Sequence, residues 1–220
     1  MCIRDSISKD IVSKLKNHED FRKLFSNFLY EIGYNKGGTF WDRFVVRVAP
    51  AENNLPYREA SRINIHRDTW GTNLYQQINW WAPVSNVEEK NTMIFYPDYF
   101  DVPVKNTTST WDLNIYLANR KKGDFSYPSA PQLKEDLPSN IKKIPVTIKP
   151  GEILCFSGAH LHSSSKEKSE NTRISFEIRT ICENDLNSSA QAPNVDCDLQ
   201  WKFPKIFKKI NDNSPLKITS

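Results

Sequence analysis

Two short polar motifs that lie far apart in this chain constrain its fold more than any other feature, because their chemistry requires them to meet. His66-Arg67-Asp68 is followed, well downstream, by Ala159-His160-Leu161-His162 and then by Thr172-Arg173-Ile174-Ser175. Together they supply imidazoles, a carboxylate and a guanidinium. On an extended strand successive side chains alternate between faces, so His66 and Asp68 share one face without a special turn. A histidine from a distant strand completes a set of two imidazoles and one carboxylate, which leaves half of an octahedral Fe(II) open for a chelating cosubstrate and O2. Spacing alone does not choose between His160 and His162, which also share a face on a straight strand.

The flanking segments read as strands. Ser61-Arg62-Ile63-Asn64-Ile65 leads into the first motif with alternating polarity, and Leu74 to Trp81 follows it as a second strand. Val146 to Phe156 contains two strand-like runs joined at Pro150-Gly151, and Phe40 to Val48 and Thr92 to Pro97 add further β pattern. Upstream, Ile7, Ile11, Leu15, Phe21, Leu24, Phe25, Phe28 and Ile32 recur at helical spacing up to Gly33, predicting a helical segment over 7–33 that packs outside the β-core rather than on a membrane. Met1 to Ser6 has no periodicity and reads as a remnant of sequence assembly. Residues 101–143 turn polar and proline-rich, which predicts a lid-like insertion between core strands. The tail over 183–220 carries a basic aromatic run from Trp201 to Lys209, read either as a terminal helix packed on the core or as a cover for its open end. With no internal repeat and no interior linker, 1–220 reads as a single domain with its β-core at 40–182.

The combination of His66-x-Asp68, a Pro150-Gly151-Glu152 turn before an apolar strand, Leu161-His162-Ser163, and Arg173-x-Ser175 eleven residues beyond His162 resembles the Fe(II)- and 2-oxoglutarate-dependent oxygenases, nearest their phytanoyl-CoA dioxygenase-like branch. Residues 40–100, 144–165 and 171–182 carry the match. The resemblance implies a mainly β double-stranded β-helix, the jelly roll or cupin-like fold, with helices outside and iron at its open mouth. It favours His162 over His160 as the third ligand beside His66 and Asp68, and it assigns Arg173 with Ser175 to the distal carboxylate of 2-oxoglutarate. Arginine suits that role, since its planar fork makes two charge-assisted bonds and stays protonated in a buried slot. Gln77 and Asn79 share a strand face and are candidates for binding cosubstrate. Asn64, Trp70, Trp81, Trp111, His160 and Arg179 are pocket candidates, with core packing an equal reading for each tryptophan. The implied reaction uses Fe(II), 2-oxoglutarate and O2 to hydroxylate a small-molecule metabolite, releasing succinate and CO2. In related halogenases a small residue replaces the carboxylate, so Asp68 points to hydroxylation.

Composition narrows the partners. A chain of 220 residues can bury a substantial core, and a formal charge of +4 gives no basic surplus of the size nucleic-acid binding needs, while weakly favouring a polar or anionic small molecule. The four cysteines form no Cys-x-x-Cys pair and no leader is visible, which predicts a reducing cytoplasm, with Cys155 in the core and His18 solvated. No apolar run is long enough to span a bilayer. Two other readings remain. A cupin-like metalloenzyme holding zinc or manganese for non-oxidative chemistry would have no use for Arg173, and a non-catalytic ligand-binding jelly roll would tolerate alanine at His66 and Asp68.

Overall fold

The computed structural model describes residues 14, 18–34, 37–42, 44–49, 51, 63–124, 126–165, 169–188 and 190–218. Ile7, Ile11 and Leu15, Met1 to Ser6, and Ser61 and Arg62 of the expected lead-in strand lie outside them. Helix α1 (Glu19–Glu31) begins with Glu19 and Asp20, whose charges favour the positive end of the helix dipole. It ends where Gly33 adopts φ +99°. There the Gly33 N–H donates to the Tyr30 carbonyl at 3.0 Å and the Tyr34 N–H to that of Leu29 at 2.8 Å, the paired bonds of a Schellman cap. The buried stripe of α1 is Phe25 and Leu29, flanked by Phe21 and Phe28. Leu24 and Ile32, expected on that stripe, are exposed instead, because Leu29 one turn beyond Phe25 takes the core position.

Among the described residues nine strands follow: β1 (Thr39–Trp41), β2 (Val45–Ala49), β3 (Ile78–Pro83), β4 (Met93–Phe95), β5 (Ile144–Pro145), β6 (Leu154–Ser157), β7 (His162–Ser164), β8 (Arg173–Cys182) and β9 (Lys208–Lys209). The larger antiparallel sheet runs β6-β3-β8-β1-β9, with β2 also pairing β8, and the smaller runs β5-β4-β7. Short helices α2 (Thr69–Thr72), α3 (Leu113–Lys121) and α4 (Glu183–Ser188) lie between strands. The architecture is therefore two antiparallel sheets with helices. The outer face of the larger sheet, through Trp41, Trp80 and Ile178, packs on Phe25 and Leu29 of α1. Each such buried apolar side chain contributes about 1.5–3 kcal/mol. Between the sheets, Trp81 and Phe156 meet Met93 and Val146.

Several expected strands are shorter than their sequence pattern. Leu74 to Gln77 is a turn, and β3 starts only at Ile78. The stretch from Val146 to Ile148 is irregular, although Pro150-Gly151 does turn the chain, with Gly151 at φ +95° and the Glu152 N–H bonded to Lys149 O at 3.0 Å. The 101–143 insertion is not wholly loop, since Asp112 caps α3 by accepting from the Asn114 and Ile115 N–H groups. The tail forms no long helix. Its Lys208 and Lys209 add β9 to the edge of β1, and Phe207 is fully buried. Cys155, expected in the core, is exposed on β6.

Candidate metal and cosubstrate site

His66 is positioned by β7 without belonging to a named strand. Its N–H donates to the His162 carbonyl and the His162 N–H donates back to that of His66, both at 3.0 Å, so the two histidines face each other across a single antiparallel bridge. Asp68 does not reach the site by strand alternation, as the sequence reading expected. The chain leaves extended geometry at Asp68, which has helical φ −65° and ψ −30° as the residue preceding α2. This turn folds the carboxylate back between the imidazoles: Asp68 Oδ1 lies 3.6 Å from His66 Nε2, and Oδ2 lies 3.6 Å from His162 Nε2. One donor atom from each of the three residues falls within 4.8 Å of the others.

The ring nitrogens are oriented by backbone. His66 Nδ1 lies 2.8 Å from the Asn64 carbonyl, and His162 Nδ1 lies 2.9 Å from that of His160. A carbonyl oxygen only accepts, so each Nδ1 carries the proton and each Nε2 turns a lone pair toward Asp68. Burial, aided by repulsion from His66, lowers the His162 pKa to about 4, so it stays neutral at neutral pH. Burial by itself would raise the Asp68 carboxyl, but His66, His162 and Arg179 more than offset this and hold it well below the usual range. The Nε2 atoms of both imidazoles and a carboxylate oxygen thus converge on one point, which favours a cation between them. The donor set fits a divalent transition metal with open positions.

A buried relay fixes the carboxylate. Thr72 Oγ1 donates to Gln77 Oε1 at 3.0 Å, Gln77 Nε2 donates to Asn79 Oδ1 at 2.9 Å, and Asn79 Nδ2 donates to Asp68 Oδ2. Gln77 and Asn79 are fully buried. Their polar ends are thus spent on one another and on Asp68, where the sequence reading had offered them to the cosubstrate. Gly158 makes room for the relay, since a Cβ there would lie 2.8 Å from Gln77 Nε2. Arg67, the middle residue of the motif and 2% exposed, is a clamp that the sequence reading passed over. Its guanidinium pairs with Asp196 at 3.1 Å and donates to the carbonyls of Ala159 at 2.6 Å, Tyr99 at 2.6 Å and Val102 at 2.9 Å. It thereby ties the turn before His162 to the loop after β4.

The inward face of β8 presents Arg173, Ser175, Glu177 and Arg179 in alternation. Arg173 is 4% exposed, its Nη1 lies 3.4 Å from Ser175 Oγ, and its Nε has no hydrogen-bond partner. Among the described residues no carboxylate pairs with it. Its guanidinium lies 5.7 Å from the Trp81 ring centroid, a cation–π contact. Burial and the neighbouring Arg47 lower its pKa to about 10, which still leaves it charged at neutral pH. An orphaned buried guanidinium on the strand that borders the triad fits one end of a dicarboxylate. Two residues of this face carried no signal in the motifs. Glu177 binds Arg47 of β2 at 2.9 Å; burial would raise its carboxyl, but Arg47 brings it below the ordinary range. Asp42, after β1, takes Arg179 Nε and Nη2 at 2.5 Å.

A cavity of about 1460 Å³ opens beside the triad, lined by His66, Asp68, Asn64, Trp111 and Arg179 among others. The remaining pocket candidates lie elsewhere. Trp70 is completely buried with its Nε1–H on Asp196 at 2.7 Å, and Trp81 is core beneath Arg173. His160 sits in the turn before β7, its ring tilted against Phe100 at 4.5 Å between centroids, and serves the site through its carbonyl. Arg173 and Ser175 are not part of the cavity wall either; Arg47 and Arg179 line it on their side.

No family model and no curated protein matches the chain. Solved structures do. EvdO2 from Micromonospora carbonacea var. aurantiaca, complexed with 2-oxoglutarate, superposes with a TM-score of 0.50 at 12% identity over 88% of this chain and 71% of its own. The non-haem α-ketoglutarate-dependent carbocyclase SnoK from nogalamycin biosynthesis gives 0.47 at 13% identity, covering 88% and 72%. The apo non-haem monooxygenase ThoJ gives 0.44 at 13% identity, covering 66% of this chain and 47% of ThoJ, so the chain spans about half of that protein's length. The EvdO2 match relates the two-sheet fold to that of a protein solved with 2-oxoglutarate bound.

Proposed function

We propose that this protein is an Fe(II)- and 2-oxoglutarate-dependent oxygenase that hydroxylates a small molecule, with its two sheets wound as a double-stranded β-helix in a single domain. The observation that carries the reading is the pairing of the His66, Asp68 and His162 donor cluster with Arg173, a buried guanidinium that lacks a carboxylate partner among the described residues. His66 and His162 would hold the metal through Nε2 and Asp68 through its carboxylate, while Arg173 and Ser175 would grip the distal carboxylate of 2-oxoglutarate. Bound iron and 2-oxoglutarate supply the oxidation, consuming O2 and releasing succinate and CO2.

The chain's own residues do the rest. The Asn64 and His160 carbonyls keep both imidazoles in the ligating tautomer, and Asn79 holds the Asp68 carboxylate in place. The cavity walls would hold a substrate beside the metal that His66, Asp68 and His162 would carry, where orientation lowers the barrier. Cys155, Cys182 and Cys197 are free, which supports a reducing, cytoplasmic setting.

Anaerobic titration of metal-stripped protein with Fe(II) and then 2-oxoglutarate tests the proposal. A weak visible charge-transfer band should develop in wild type and in His160→Ala but be lost in His162→Ala. Iron binding without a band in wild type would refute the oxygenase reading and leave the non-oxidative metalloenzyme.

A further inference from the structure

We infer that the substrate is an amphipathic anion, an apolar body bearing a phosphate, sulfate or carboxylate group that docks on a cationic rim at the cavity mouth. The inference rests on the oxygenase reading and names the substrate class of that same site. The cavity exceeds the roughly 300–1,000 Å³ of ordinary small-molecule pockets, so it has room beyond a cosubstrate. Its wall is apolar near the helix and sheet, through Phe21, Trp41, Phe44 and Val46, and again under the tail through Phe203 and Ile206.

The charged lining is unequal in kind. Deep residues are neutralised locally: Arg179 by Asp42, Arg47 by Glu177 and Arg67 by Asp196. The rim is not. Arg22 of α1, Lys205 and Lys208 of the tail line the cavity, and none of them has a carboxylate partner among the described residues. Arg22 spends one N–H on Asn213 Oδ1 at 3.1 Å, a neutral acceptor. Neighbouring cations on the same elements behave differently, since Lys23 pairs with Glu19 at 3.1 Å and Lys209 with Glu183 at 3.9 Å. Glu19 is the one acidic residue at this outer edge among the described lining residues, and Lys23 already engages it. Two segments far apart in the chain, α1 and the tail, therefore converge positive charge on one opening, which focuses its field on an incoming anion.

The test uses two probes that differ by one sulfonate: 8-anilinonaphthalene-1-sulfonate and its uncharged counterpart N-phenyl-1-naphthylamine, titrated by fluorescence against the full chain. Wild type should bind the sulfonate about 10-fold more tightly, the sum of three modest rim pairs. That advantage should shrink to about 2-fold or less in Arg22→Gln/Lys205→Gln/Lys208→Gln and in high salt. It should survive in the charge-preserving Arg22→Lys/Lys205→Arg/Lys208→Arg, with the neutral probe unchanged throughout. Equal binding of both probes by wild type, or a preference that persists in the glutamine variant, would overturn the inference. The Fe(II)–2-oxoglutarate band, measured on the same samples, separates the two claims. A band without anion preference refutes the substrate class alone, whereas anion preference without a band refutes the oxygenase and leaves an anion-binding cavity.

Discussion

Arg173 and Arg179 stand on the same face of β8, three alternations apart, and differ in almost everything that matters physically. Arg179 is doubly bonded to Asp42 at 2.5 Å and lies 4.0 Å from Asp68, and these carboxylates raise its pKa despite burial. Arg173 is the more buried of the two, yet among the described residues its Nε is idle and its contacts are a long approach to Ser175 and the face of Trp81. A buried guanidinium normally brings its counterion with it. Among the described residues Arg173 has no such counterion, so Arg179 is part of the frame, whereas Arg173 is the receptor of the proposed reading.

Removing the frame should cost the most. Asp42→Ala leaves the half-buried Arg179 with only its longer approach to Asp68, and urea unfolding should show a loss of about 3 kcal/mol, the lower end for a broken buried pair. Arg173→Ala abandons no acidic partner, so its stability should stay within about 1–2 kcal/mol of wild type while 2-oxoglutarate affinity, read from the visible band, falls about 100-fold. Arg173→Lys keeps the charge but not the fork and should fall between the two. If Arg173→Ala unfolds the protein as Asp42→Ala does, the distinction between frame and receptor is lost. A smaller effect is expected at Gly158→Ala, where the new Cβ displaces Gln77 and slackens Asn79 on Asp68; Fe(II) affinity by calorimetry should drop about 10-fold. His160→Ala should be the mildest, with Fe(II) binding within about 2-fold of wild type, because its contribution to His162 is a backbone carbonyl that alanine retains.

Legibility followed the range of the interaction. The Gly33 cap, the Pro150-Gly151 turn and the alternation of Arg173 and Ser175 on β8 are local and could be read directly. The strand pattern extends too far over Leu74 to Gln77, where the apolar Leu74 and Tyr75 and the polar Gln76 and Gln77 serve a half-buried turn instead. The tail's two readings part here: its basic aromatic run forms no long terminal helix among the described residues but lines the cavity, because the free edge of β1 takes Lys208 and Lys209 as a strand. Asp42, Glu177 and Arg67 escaped notice because charged residues in strands and loops are ordinary until their partners are known.

By itself, the sequence determined the donor types, their order along the chain, and the face that Arg173 and Ser175 share, because residue chemistry and the two-residue period of a strand are local properties. The tertiary structure decided that Asp68 arrives by a helical turn, that Gln77 and Asn79 are spent on Asp68, that His160 works through its backbone, and that Arg179 is neutralised while Arg173 waits. Each of those outcomes depends on which distant group shares a buried space with the residue. In a low-dielectric interior that neighbour, more than the residue's own identity, sets the role of a charge.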